Sequence, residues 1–215
     1  MPTMRKSLLA CLLVVTAFSQ TASVGIFTNS GDVGNPAKKG SAEFNDTTGE
    51  YRITGSGANI WAKDDQFQYV WREMTGNFTA KATLQFLGKG EDHRKAGIML
   101  RQSLDADSPY GDFVIHGNGM PGLQWRPNKG EITNTFDLPF DAPAKYKLML
   151  VRSGVGITVS LAKDGAELKQ IARTEVTFHG PILVGLAVCA HNADNLETVV
   201  FSDVSVEATV PPGSH

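Results

Sequence analysis

From Val24 onward, apolar residues recur with period two or in short runs, and clusters of Gly, Pro, Asn and Asp separate them. Period two marks a strand with one face buried, because successive side chains leave a strand on opposite sides. Ala80, Ala82, Leu84 and Phe86 alternate with Thr79, Lys81, Thr83 and Gln85. Val155, Ile157, Val159 and Leu161 alternate in the same way with Gly156, Thr158 and Ser160. Further strands are predicted over 50–55, 67–72, 96–102, 112–116, 122–126, 145–152, 167–173, 182–190 and 198–208, joined by turns such as Lys163-Asp164-Gly165. About eleven or twelve strands result. The segments 24–40 and 209–215 carry no such pattern and are expected to be loose. No window of about 12 residues has the 3.6-residue apolar spacing of a helix. Without helical crossovers the strands must pair antiparallel, and they can bury their apolar faces as a barrel or as two packed sheets. The expected fold is all-β, a two-sheet antiparallel sandwich.

The first 23 residues have a different grammar. Arg5 and Lys6 precede an uncharged run from Leu8 to Phe18, followed by the small polar stretch Ser19-Gln20-Thr21-Ala22-Ser23. This is the layout of a secretory signal peptide, cleaved after Ser23 or after Ser19, and the apolar run is too short to span a bilayer. One domain, 24–215, is expected to remain in an extracytoplasmic compartment, periplasmic or secreted. The whole chain holds 20 Lys and Arg against 22 Asp and Glu, and cleavage leaves 18 against 22. That balance offers no basic footprint for nucleic acid. Of two cysteines only Cys189 stays, so no internal disulfide is possible and core burial must supply stability. Its apolar strand predicts a buried thiol.

The order of short motifs along the chain narrows the fold. Asp32-Val33-Gly34 and Gly40-Ser41 come first, then Tyr51-Arg52-Ile53-Thr54-Gly55-Ser56-Gly57, Asn59-Ile60-Trp61 and Asp65-Gln66-Phe67-Gln68-Tyr69-Val70. Lys95-Ala96-Gly97-Ile98-Met99-Leu100-Arg101 and Leu123-Gln124-Trp125-Arg126-Pro127 follow. Val184 to Asn192 and Phe201-Ser202-Asp203-Val204-Ser205-Val206 complete the series. From about Gly31 to Glu207 this order resembles the concanavalin-A-like jelly-roll domains of secreted bacterial proteins grouped as "regulation of enolase protein 1"-like. The resemblance implies a jelly-roll sandwich, often attached to glycan-active enzymes or propellers. It brings no catalytic residues with it, and the wider superfamily holds lectins, glycanases and adhesion modules.

Several chemistries lack their motifs. There is no Gly-x-Ser-x-Gly elbow, no His-Glu-x-x-His, no phosphate loop and no cysteine pair for zinc. A retaining glycanase needs two carboxyl groups about 5–5.5 Å apart, and no strand presents such a pair. Asp112 with Glu131 or a loop acid is the remaining hydrolase arrangement. Asp105, Asp107 and Asp112, and separately Asn192, Asp194 and Asn195, offer oxygen ligands of the kind Ca²⁺ takes, although such loops are commonly turns. No cofactor is otherwise indicated.

Strand alternation sets out a polar constellation instead. Ile98 and Leu100 oppose Met99 and Arg101; Phe113 and Ile115 oppose Asp112, Val114 and His116; Leu123 and Trp125 oppose Gln124 and Arg126. If these strands are neighbours, Arg101, Asp112, His116, Gln124 and Arg126 share the non-core face of one sheet, concave in a jelly roll, with Tyr110 in a loop beside it. Such planar donors and acceptors suit sugar hydroxyls or a carboxylated sugar. The alternative is a solvated face on which Arg101 and Arg126 pair with Asp112. Trp125 is expected on the core side, Trp61 and Trp71 in the core or at its rim, and His93 near the face. His179 and His191 are expected to flank strand 182–190, His191 serving a turn. A non-catalytic module binding carbohydrate or another envelope polymer is the leading expectation, and a glycan hydrolase or a protein-interaction module of an envelope complex are the others.

Overall fold

Alternating apolar positions become two antiparallel sheets. In the computed structural model, which describes residues 23–138, 144–163 and 165–209, one sheet runs β1 (Asn29–Val33), β6 (Phe67–Met74), β15 (Ile182–Cys189), β8 (Lys95–Arg101), β9 (Tyr110–His116), β10 (Pro121–Arg126) and β11 (Asn134–Asp137). The other runs β14 (Lys169–Glu175), β13 (Gly156–Lys163), β12 (Tyr146–Ser153), β7 (Phe78–Phe86), β16 (Asn192–Ala208), β3 (Glu50–Gly57) and β2 (Ser41–Asn45). A small hairpin, β4 (Ile60–Trp61) with β5 (Asp64–Asp65), stands apart. The predicted leader lies outside the described residues except for Ser23, as do Asp164 of the predicted turn and the end of the chain from 210. No helix among the described residues is long and apolar enough to cross a membrane.

The main core lies between the two sheets. Ile98, Leu100, Phe113, Ile115 and Leu123 of the first sheet meet Ala82, Leu84, Leu148, Leu150, Ile157 and Val159 of the second, and Trp125 packs against them from the edge. Burying each large aliphatic side chain contributes about 1.5–3 kcal/mol. Jelly-roll alternation thus accounts for one face of each strand.

The other face of the first sheet departs from expectation. A solvated face should leave every second residue exposed, yet β8 and β9 are buried at every position. A second apolar cluster of Val33, Ile60, Phe67, Tyr69, Trp71, Met99, Tyr110, Ala187 and Cys189 lies on that side. Segments 24–40, expected to be loose, help to build the sandwich: Val24 and Phe27 are buried, and β1 pairs with β6 in register from Asn29↔Trp71 to Val33↔Phe67. Tyr110 is the first residue of β9 and not part of a loop. Cys189 is buried, and burial pushes its thiol pKa up to about 11.

Candidate functional site

Cross-strand register lays out the second face as a grid. Lys95 is opposite His116, and Met99 is opposite Asp112, which is opposite Gln124 and then Thr135. Arg101 is opposite Tyr110, which is opposite Arg126. Gly122 lies between Val114 and Asp137. All six residues singled out for ligand binding, Arg101, Tyr110, Asp112, His116, Gln124 and Arg126, therefore belong to this one face. Loops then divide it into two ends.

At one end the face is sealed. Arg101 Nη1 and Arg126 Nη1 both donate to Asp65 Oδ2 at 2.7 Å, and Arg126 Nη2 donates to Asp65 Oδ1 at 2.8 Å. All three side chains are fully buried. Arg126 also donates to the carbonyls of Ala62, Ser108 and Glu131, which tie down the β4–β5 hairpin and the loops on either side of β9 and β10. Main-chain bonds from Asp65 to Ala106, Thr133 to Ala62 and Gly130 to Asp107 lace those segments together. Ala62 is held with φ at 50°, a left-handed conformation costly for a residue with a Cβ, by donors that converge on its carbonyl. Tyr110 stacks beneath both guanidinium groups and its hydroxyl bonds Thr133 Oγ1 at 3.1 Å. The arginines pair with Asp65, therefore, and not with Asp112 as the cross-strand pattern suggested, and with no accessible surface they touch no ligand in this state. The Asp105 and Asp107 carboxylates both bind Lys129, so a protein ammonium already occupies the place of a cation there. Asn192 accepts from the Asp194 N–H in a turn of its own. Asp112 is buried while Glu131 is exposed on the loop after β10, bonded to Asn128, so these two carboxyl groups do not face one open groove.

At the other end the face is open. Asn59, Trp61, His93, Lys95, His116, Met120, Gln124, Asp137 and His191 line a cavity of about 250 Å³. Lys95 Nζ donates to Asn59 Oδ1 at 2.6 Å and to the Ile60 carbonyl at 2.9 Å, and sits 5.4 Å from the centre of the Trp61 ring. His116 Nδ1 lies 2.9 Å from the Met120 carbonyl. A carbonyl only accepts, so Nδ1 carries the proton and Nε2 keeps its lone pair. Burial drives the His116 pKa down to about 4, leaving the ring neutral at ordinary pH. His93 brings His116 and His191 together, with ring centroids 5.6 Å away in each case. Burial also lowers the His191 and Lys95 pKa values, and the Lys95 and His93 charges add to the effect at His191.

Gly122 leaves the floor of this cavity clear. A Cβ there would lie 3.2 Å from His116 Cε1 and 3.5 Å from Asp137 Oδ1. Beside Gln124 on the same face, Asp112 is fully buried, and burial raises its pKa well above the carboxylate range although Lys95 pulls the other way. Two larger depressions, of about 470 and 780 Å³, flank the loop at 87–92. Their buried charges, Arg94 and Glu197, pair with each other at 2.9 Å. The open end of the second face is thus the better candidate site. Of the residues singled out from the sequence, it includes His116 and Gln124, with Asp112 paired across the strands to Gln124. Lys95, Asn59 and Asp137 were missed. The signal for Lys95 was a lysine opening a strand whose next five residues, Ala96 to Leu100, are apolar.

No protein-family model and no curated protein sequence matches the chain. Its fold is similar to that of a functionally unknown protein from Saccharomyces cerevisiae, with a TM-score of 0.65 and 16% identity over 84% of this chain and 97% of that one. It is similar too to the carbohydrate binding module CBM66 from Bacillus subtilis, with a TM-score of 0.53 and 14% identity over 87% and 98% of the two chains. Lectin UEA-II complexed with galactose gives a TM-score of 0.53 and 11% identity over 84% and 98%. At such identities the likeness is one of fold, a two-sheet antiparallel β-sandwich.

Proposed function

We propose that the open end of the second face binds one sugar unit of a glycan, and that the protein is a non-catalytic binding module working outside the cytoplasm. The observation that carries this reading is the cavity of about 250 Å³, in which the Trp61 ring borders the neutral, planar hydrogen-bonding groups of His116 and Gln124. A sugar ring offers an apolar face and a rim of hydroxyls, and such a lining answers both. The volume is below the roughly 300–1,000 Å³ of drug-sized sites, which suits a single ring. Lectin and carbohydrate-module neighbours support the class of ligand, and the leader read from the sequence supports the compartment.

The test is a glycan array that includes galactose, probed with residues 24–215 and with Trp61→Ala, each checked for folding by circular dichroism. Binding by the wild type that drops tenfold or more in Trp61→Ala is expected. A folded wild type that binds no glycan would sink the reading and favour a protein partner.

A further inference from the structure

Asp112 and Gln124 are direct partners across β9 and β10 and project to the same face, which sets their Cβ atoms about 4.5–5.5 Å apart. Both side chains are buried. Neither carboxyl oxygen of Asp112 has a hydrogen-bond partner of full geometry, and neither does Gln124 Oε1. The Gln124 main-chain N–H donates toward the Asp112 carboxyl and supplies no donor for Gln124 Oε1. The Lys95 ammonium group bonds Asn59 and Ile60, and no bond from it to Asp112 or Gln124 is formed. The Asp112 carboxyl and Gln124 Oε1 are thus buried acceptors at directly paired positions that no side-chain donor serves among the described residues, a situation that buried groups in folded proteins avoid.

Building on the carbohydrate reading above, we propose that Asp112 is a positioning residue: as the neutral acid it donates its proton to Gln124 Oε1, turning the Gln124 amide N–H groups toward the cavity to meet a hydroxyl of an uncharged sugar. One proton removes the conflict. Burial favours the neutral acid, and the Asp65 charge acts in the same direction. Lys95 and Arg101 oppose it, and Tyr110 beside it is held as a neutral phenol by burial. The rest of the cavity sets the ligand class. His116 Nε2 and the Asp137 carboxylate, which already takes one donor from Thr135, offer acceptors to a ligand, which sugar hydroxyls can meet and a uronate carboxylate cannot. Hydroxyls can also accept from Gln124.

Two readouts test this on the full chain from residue 24. The ¹³Cγ resonance of Asp112, assigned by its loss in Asp112→Asn, should report a protonated acid at pH 7; a carboxylate shift there overturns the proposal whatever binds. The array is then probed with neutral hexoses and pentoses and with their uronates. Asp112→Asn, whose amide N–H replaces the acid proton, should bind the neutral sugars within about twofold of wild type. Asp112→Leu should lose tenfold or more. Wild-type binding should weaken as alkaline pH removes the Asp112 proton, while Asp112→Asn should stay level. Equal binding by Asp112→Leu overturns the positioning role, and preference for uronates overturns the ligand class while leaving glycan binding intact. A wild type that binds no sugar at all overturns the carbohydrate reading and this ligand class with it, and the resonance still decides the proton.

Discussion

The two ends of one sheet face carry similar residue types and meet opposite fates. Arg101, Tyr110 and Arg126 at one end and Lys95, His116 and Gln124 at the other lie on the same three strands, with Arg101, Tyr110 and Arg126 in one register row, Lys95 opposite His116, and Gln124 opposite Asp112. At the first end, Asp65 arrives on the β4–β5 hairpin and neutralises two guanidinium groups, allowing loops to close over them. At the second end Lys95 is satisfied by neutral oxygens, Asp137 lines the rim without an ion pair to it, and a cavity remains. Charge on a strand therefore does not mark a binding face. What decides is whether a remote residue compensates it.

Removing that compensation should give the largest effect. Asp65→Asn keeps the shape but leaves two buried guanidinium groups without a counter-charge, a change that costs about 3–5 kcal/mol. Urea unfolding should show a loss of that order, and a loss under 1 kcal/mol would mean that the sealed end does not depend on the ion triad.

The open end should reveal itself through pH. His116 is neutral in the fold, with its pKa depressed from the ordinary 6.5 to about 4. The unfolded chain thus binds more protons between those values. Stability should be fully present above about pH 6.5 and fall by about 3 kcal/mol as pH drops through about 4. His116→Gln should remove this portion of the acid sensitivity, and an unchanged slope in urea titrations at several pH values would contradict the burial of the ring. Tyr110→Phe gives the smallest change. It deletes one buried hydroxyl contact with Thr133, worth about 1 kcal/mol, and should leave array binding untouched. Loss of glycan binding in Tyr110→Phe would place the ligand at the sealed end.

How much of this could be read from the chain depended on periodicity. The inner strands of the first sheet announce themselves because their inward residues face a continuous core, as with Ile98, Leu100, Phe113, Ile115 and Leu123. β1 and β11 do not: Asn29-Ser30-Gly31-Asp32-Val33 and Asn134-Thr135-Phe136-Asp137 are edge strands rich in turn formers, and their pairing is set by the neighbouring strand. Alternation placed Arg101, Asp112, His116, Gln124 and Arg126 on one face but carried no information about its cover. Asp65 lies 36 residues before Arg101 and 61 before Arg126, so no local pattern links them. The cavity was equally hidden, since Asn59, His93, Asp137 and His191 come from four separate segments. His191, expected to serve a turn, has φ at 54° between β15 and β16 and also borders the cavity.

The most direct trial of the open end is to fill it from its floor. Gly122→Leu adds a side chain beside His116 and Asp137 on an ordinary strand backbone, and its sugar binding can be compared with wild type by isothermal titration with the best array hit. Abolished binding in a folded Gly122→Leu protein is the predicted result. Undiminished binding would contradict the account, because the sugar would then lie elsewhere on the molecule.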